Sequence, residues 1–181
     1  MTKRLDPFAF FAIQAAVVLL LALVACLAYP LRPPMLVYTV TSGTGYRVKP
    51  MGGGEEALHR GVDLVGPVGC AILAAAPGVV VEHWPAPGTP RAGGGTFKGH
   101  PVFGGYIVID HGNGVFSLYG HLSRTFVHTG QRVAAGDVIG RQGRTGDATG
   151  EHLHFELVVN PMIFFEAPLG IGEAERRRLL R

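Results

Sequence analysis

Cysteine is scarce in this chain: Cys26 and Cys70 are the only two among 181 residues. Cys26 lies inside a long apolar run, so an intrachain disulfide is not expected and Cys70 reads as a buried thiol. Charge is scarce as well, at 16% of residues, and it is unevenly placed. Residues 1–34 carry Lys3, Arg4 and Arg32 against Asp6, and residues 171–181 carry four Arg against Glu173 and Glu175. The segment between holds nine Lys/Arg and ten Asp/Glu, no basic excess to match a phosphate backbone, so nucleic acid is not an expected partner. Sustained helical periodicity is missing from the globular part, residues 41–168. Glycine (27) and proline (13), in contrast, are plentiful, which points to many tight turns and a β-rich domain. A chain of this length supports one good core and hardly two.

The N-terminal 40 residues read as a delivery segment. Residues 1–7 are short and carry Lys3 and Arg4, and residues 8–29 form an apolar run interrupted only by Gln14. At about 1.5 Å per residue such a run spans the ~30 Å hydrocarbon layer as a transmembrane helix. The preceding positive charges favour a cytoplasmic N-terminus, leaving the rest of the chain outside. Within the run, Leu23-Val24-Ala25-Cys26 resembles a bacterial lipobox, at which a leader is cut and the cysteine lipidated. Three readings stand: an uncleaved anchor, a lipidated Cys26, or a cleaved signal. Each places the domain on the outer side of the inner membrane, in the periplasm or extracytoplasmic space. Residues 30–40 read as a short Pro-containing linker, 41–168 as the globular domain, and 169–181 as a charged tail.

Within that domain, β-type runs recur between turn residues: Val62–Val65, Ala71–Ala74, Val79–His83, Tyr106–Asp110, Val115–His121, Val138–Gln142 and His152–Val159. Asn113-Gly114 is a strong hairpin signal, because both central positions of such a turn need positive φ. The Gly/Pro-rich stretch between Pro85 and Gly105 reads as a long surface loop, either bordering a groove or a plain insertion. The expected fold is therefore all-β.

Chemistry-bearing residues gather in three stretches. In Gly150-Glu151-His152-Leu153-His154-Phe155-Glu156, polar residues at 152, 154 and 156 alternate with apolar ones, so two imidazoles and a carboxylate share one strand face. His59-Arg60-Gly61-Val62-Asp63 places an imidazole and a carboxylate four apart, on one face of either helix or strand. Tyr119-Gly120-His121 ends an alternating run, which puts Tyr119 and His121 on one face as well. His59, Asp63, His121, His152 and His154 together have the composition of a catalytic zinc site: nitrogen and oxygen ligands, with histidines left over for proton chemistry. Spacing alone does not say which histidine of the 152/154 pair would hold the metal. Glu156 shares their face, where it either orients a neighbouring histidine or serves packing.

These stretches, with Ser42-Gly43-Thr44-Gly45-Tyr46-Arg47, Ala74-Ala75-Ala76-Pro77-Gly78, Val108-Ile109-Asp110-His111-Gly112-Asn113-Gly114 and Gly136-Asp137-Val138-Ile139-Gly140, resemble the lysostaphin/LytM-type zinc endopeptidases in the family's order. The resemblance implies an antiparallel β-sheet or sandwich with a groove. It further implies one Zn2+ bound by His59, Asp63 and His154, with His121 and His152 as the catalytic pair that does not bind metal. The implied reaction is hydrolysis of peptide crosslinks in peptidoglycan, with peptidoglycan stem peptides as substrate and regulatory envelope proteins as further partners. The alternative from another class is a non-catalytic regulator of the same fold that activates cell-wall amidases. Lys49 stands before Pro50 where many relatives have histidine, and His83, His100, His111 and His128 have no matching role.

Overall fold

The computed structural model describes residues 31–48, 54, 56–92 and 94–159. The apolar run 8–29, the segment 1–7 and the tail 169–181 lie outside the described residues. Among the described residues no helix is long and apolar enough to cross a membrane.

Residues Leu31–Val159 fold as one unit, whose described residues form twelve strands: β1 (Thr39–Ser42), β2 (Gly45–Val48), β3 (Glu56–His59), β4 (Val62–Val65), β5 (Ala71–Leu73), β6 (Gly78–Trp84), β7 (Gly105–Asp110), β8 (Val115–Leu122), β9 (Arg124–Thr125), β10 (Arg132–Val133), β11 (Val138–Arg141) and β12 (Leu153–Val159). The main sheet is antiparallel, in the order β1-β4-β12-β8-β7-β6-β10; β5-β11-β9 and β2-β3 form two smaller antiparallel sheets. The all-β expectation holds, and the seven runs read from alternation correspond to β4, β5, β6, β7, β8, β11 and β12. The β7–β8 hairpin turns at Asn113 and Gly114 with φ of 50° and 72°, as that dipeptide requires.

The core lies between the main sheet and the β5-β11-β9 sheet and is built from Leu64, Ile72, Val80, Ile107, Ile109, Tyr119, Leu122, Ile139 and Leu153. It also takes in Met35, which is only 1% exposed. Residues 31–40, read from the sequence as a linker, are thus part of the packed unit. Arg32 N–H donates to the Ala75 carbonyl and Leu73 N–H to the Pro34 carbonyl at 2.7 and 2.8 Å, and β1 begins at Thr39. Pro34, one of the prolines that suggest a connector, still carries a carbonyl, and it is the acceptor for Leu73 N–H.

Below Tyr119 the core has a polar wire. Ala75 N–H donates to the Tyr119 hydroxyl, which neighbours Ser117 Oγ at 2.9 Å; Ser117 Oγ lies 2.7 Å from His111 Nε2, and His111 Nδ1 donates to the Pro77 carbonyl. Tyr119 is completely buried and belongs to this core rather than to the edge of the site.

Candidate metal centre

Three adjacent strands bring the site together. In the β4–β12 ladder Asp63 stands directly opposite His154, and in the β12–β8 ladder His154 stands opposite Gly120. The two apolar neighbours of His154 on β12 face inward: Leu153 is fully buried and Phe155 packs against the core, meeting Tyr119 at 5.3 Å between ring centroids. The alternation read from the sequence therefore places His154 and Glu156 on the opposite, groove side. His59 arrives at the end of β3, just before Arg60-Gly61 returns the chain into β4. That return passes so close to β12 that a Cβ on Gly61 would lie 2.5 Å from the Phe155 carbonyl oxygen.

His121 reaches the groove by a different device. Strand period would put it on the core side with Tyr119, but its φ is 63°, and it is Leu122 that enters the core. Apart from the turn residue Asn113, His121 is the only non-glycine residue with positive φ among the described residues. A left-handed conformation costs a residue with a Cβ about 1–2 kcal/mol, and strain of this kind clusters at functional sites.

His59 Nε2, His154 Nδ1 and Asp63 Oδ1 form a triangle with every edge at 3.0 Å. The outer nitrogens fix the tautomers. His59 Nδ1 donates to the Gly43 carbonyl at 2.7 Å, and His154 Nε2 donates to Glu156 Oε1 at 2.9 Å, so both inner nitrogens present lone pairs. Three acceptors, all at most 7% exposed, thus converge on one point. Such a set is stable only around a cation, either a proton or a metal. Ligand atoms of a tetrahedral zinc, each about 2.0–2.2 Å from the ion, stand roughly 3.3–3.6 Å apart, so the triangle has the right chemistry and needs to widen by only a few tenths of an ångström on each 3.0 Å edge to seat the ion. Asp63 Oδ2 is held separately by Arg47 at 3.0 Å, and Arg47 is itself steadied by Ser42 Oγ at 2.9 Å. Arg47 and Gly43 carried no assigned role in the sequence reading; the side-chain and carbonyl partners that give them one become visible only once β2 and β3 pair.

Burial works to raise the Asp63 carboxyl, but the hydrogen bond to His154 and the neighbouring imidazoles outweigh it and hold the group well below the usual carboxylate range. Burial opposes charge on His154, yet its contacts with Asp63 and Glu156 raise it overall, as expected where a cation is wanted. Burial pushes His121 down to about 4, so it is neutral at physiological pH.

His121 and His152 face each other beside the triangle, with ring centroids 4.6 Å apart. His121 Nδ1 donates to the Thr145 carbonyl at 2.8 Å and His152 Nδ1 to the Gly150 carbonyl at 3.0 Å, which leaves both Nε2 atoms as bases directed inward. His152 Nε2 lies 3.6 Å from Asp63 Oδ1. All five residues singled out in the sequence line one groove of about 580 Å3, together with Arg47, Arg60, Val102, Phe103 and Glu151. The long loop does border this groove. Phe103 accepts a hydrogen bond from His121 N–H at 2.7 Å and Val102 one from Asp147 N–H at 2.8 Å, so the loop's return forms a fixed wall. Of the four other histidines, His83 pairs with Thr125, His111 with Ser117 and Pro77, and His128 with Gln131, while His100 stands behind the groove wall, stacked on Phe103.

The model of peptidase family M23 matches residues 57–162, which is more than half of the chain. The chain belongs to peptidase family M23. This M23 domain is 40% identical over 103 residues to the peptidoglycan DD-endopeptidase ShyA of Vibrio cholerae, an overlap that covers 57% of this chain and 21% of that protein. The chain thus matches about a fifth of that relative's length. Among solved structures, a zinc-containing peptidase from Vibrio cholerae superposes with a TM-score of 0.55 at 32% identity, covering 70% of this chain and 35% of that one. The catalytic domain of lysostaphin from Staphylococcus simulans superposes with a TM-score of 0.52 at 29% identity, covering 76% and 85%. The His59, Asp63 and His154 cluster has the donors for one metal ion, and the Vibrio cholerae structure it resembles is that of a zinc-containing peptidase.

Proposed function

We propose that this protein is a zinc-dependent endopeptidase that hydrolyses peptide crosslinks of peptidoglycan. The observation that carries the reading is the buried triangle of three acceptors with two further inward-directed imidazole bases beside it. The peptidoglycan DD-endopeptidase among its relatives supports the choice of substrate.

His59, Asp63 and His154 would hold the metal. When bound there, zinc supplies a Lewis acid for the peptide carbonyl and lowers the pKa of a water to about 7. Glu156 and the Gly43 carbonyl keep the two imidazoles in the ligating tautomer, and Arg47 holds the far oxygen of Asp63, so only Oδ1 turns inward. As water adds to the carbonyl, a new C–O bond forms and a proton is released. The Nε2 of His121 or His152 receives it; the resulting N–H then hydrogen-bonds the tetrahedral oxygen or passes the proton to the leaving amine as the C–N bond breaks. Val102 and Phe103 exclude water from one side of the groove.

We also propose that residues 8–29 hold the domain at the outer face of the inner membrane, as an uncleaved helix or through a lipidated Cys26. The apolar run and the charges of Lys3 and Arg4 support this reading.

The test uses the full-length chain in detergent. Bound zinc is measured by mass spectrometry, and new amino termini are counted after incubation with purified sacculi. One equivalent of zinc and release of amino termini, abolished in His121→Ala, is the expected result; a folded protein that holds zinc weakly or not at all and cleaves nothing overturns the reading. Intact mass decides between the helix and an acylated Cys26.

A further inference from the structure

The chain has a single tryptophan, and it is not in the core. Trp84, at the end of β6, is 40% exposed, yet its indole is braced as firmly as a buried ring. One face stacks on its cross-strand partner Tyr106, with centroids 6.2 Å apart and planes within 14°. His100 stands edge-on to both rings, at 5.5 Å from Trp84 and 5.2 Å from Tyr106. Tyr106 is in turn held by a short hydrogen bond from its hydroxyl to Glu82.

This cluster continues into the groove. His100 stacks on Phe103 at 5.4 Å and 22°, Phe103 lines the groove, and Phe103 lies 5.7 Å from the ring of His154. An unbroken row of rings therefore runs from a buried metal-ligand histidine to an exposed indole. The row is fastened in place. His100 and Gly104 exchange backbone hydrogen bonds at 2.7 and 2.8 Å, and His100 Nδ1 accepts from the N–H groups of Val102 and Phe103.

An exposed, immobilised aromatic plate is a poor solution for stability and a good one for binding a flat ligand with an apolar face, because its ordering entropy is already lost before the ligand arrives. We infer that Trp84, with His100, is a binding subsite for an amino-sugar ring of the glycan strand from which the scissile peptide hangs. The inference rests on the peptidoglycan reading above. A pyranose presents axial C–H groups on one face, and these settle on the electron-rich face of an indole. The dimensions agree: the three steps of the row, 5.7, 5.4 and 5.5 Å, place the indole no more than about 17 Å from the metal-ligand ring, and about four or five extended residues at ~3.3–3.6 Å each span that distance. A stem peptide of that order connects the sugar to the crosslink. Glu82, near the plate through Tyr106, supplies a carboxylate for sugar hydroxyl or amide N–H groups.

The experiment compares two substrates that share one crosslink: a peptide dimer without sugars, and the same dimer carried on disaccharide units. Wild-type protein is expected to cleave the sugar-bearing substrate with a kcat/KM higher by roughly threefold to tenfold, expressed in KM. Trp84→Ala is expected to remove that preference while leaving cleavage of the sugar-free dimer unchanged, and Trp84→Phe to keep most of it. Equal cleavage of the two substrates by wild type, or an equal loss on both in Trp84→Ala, overturns the subsite and leaves the endopeptidase reading intact. Cleavage of neither by wild type overturns that reading as well. Because Trp84 is the only tryptophan, the wild-type protein gives an independent readout free of any folding defect. Titration with the uncrosslinked disaccharide is expected to shift its emission saturably, and unchanged emission counts against the subsite.

Discussion

Gly61 lies against His154 so closely that a Cβ at position 61 would sit 2.9 Å from His154 Cε1 and 2.9 Å from Glu156 Cγ. The return between His59 and Asp63 is thereby wedged against His154, the third member of the triangle, and its partner Glu156. Gly61→Ala is expected to displace His154 and Glu156, because the nearest obstacle, the Phe155 carbonyl, is backbone and cannot rotate away. The cost to folding is about 1–3 kcal/mol. Zinc affinity, measured by competition with a chromogenic chelator, should fall at least about tenfold.

Glu156 accepts from His154 Nε2, and on the proposed reading this holds the imidazole that binds the metal. Glu156→Gln keeps an oxygen that accepts from Nε2, whereas Glu156→Ala leaves that N–H without its partner. Metal affinity and kcat/KM are expected to fall about 10–100-fold in the alanine variant and less in the glutamine variant. Equal effects of the two would show that the charge, not the hydrogen bond, matters.

At position 121 the usual ranking of alanine and glycine should invert. Glycine in a strand ordinarily costs about 0.5–1 kcal/mol relative to alanine. His121 has a φ of 63°, a conformation that glycine adopts freely and alanine does not. Both His121→Ala and His121→Gly should be inactive. Denaturant titration should nevertheless find the glycine variant more stable, by about 1 kcal/mol.

His111 supplies a pH dependence away from the metal. Burial pushes its pKa below the ordinary histidine value, only partly offset by the hydrogen bond to Pro77 and the charge of Asp110. The unfolded chain therefore binds a proton there more readily than the native one. Stability from this group is complete above the unfolded pKa of about 6.5 and is lost as pH falls toward the lower native value. Native protonation would also reverse the wire through Ser117 and leave the buried Tyr119 O–H without an acceptor. In denaturant titrations, His111→Gln should be less stable than wild type at pH 7.5 but lose less on going to pH 5.

Much of this architecture is legible in the sequence, for local reasons. Strand β12 and the inner part of β4 mix buried with more exposed positions, whereas β7 and β8 are buried on both faces and show instead as apolar, β-branched and aromatic runs; Asn113-Gly114 marks the turn between those two. Strands β1, β2 and β3 leave little trace in the sequence because they bury little: Val40, Tyr46, Val48 and Leu58 are all exposed, so no apolar period develops. The five residues that the fold gathers in one groove are legible because they are titratable and cluster in short motifs. Their supports are not. The Gly43 carbonyl has no side-chain signature, and Arg47 reads as an ordinary strand cation until its partner across β3 and β4 is known. The alternation rule also fails at one point, and usefully: Tyr119 was grouped with His121, but the positive φ of His121 sends the two side chains to opposite sides of the sheet.

Gly104 and Gly146 meet where neither has room for a Cβ, Gly104 against Thr145 and Gly146 against the Val102 carbonyl and Gly104 nitrogen. With the Gly105 N–H to Thr145 Oγ1 bond at 3.0 Å, this contact clamps the returning end of the long loop. The tip between Thr89 and Phe97 closes on itself through its own hydrogen bonds, upstream of that clamp. Length and composition at the tip are consequently free to drift or be rewritten. A protein engineer could graft a recognition peptide there, altering what the domain is brought to without moving the wall of its groove.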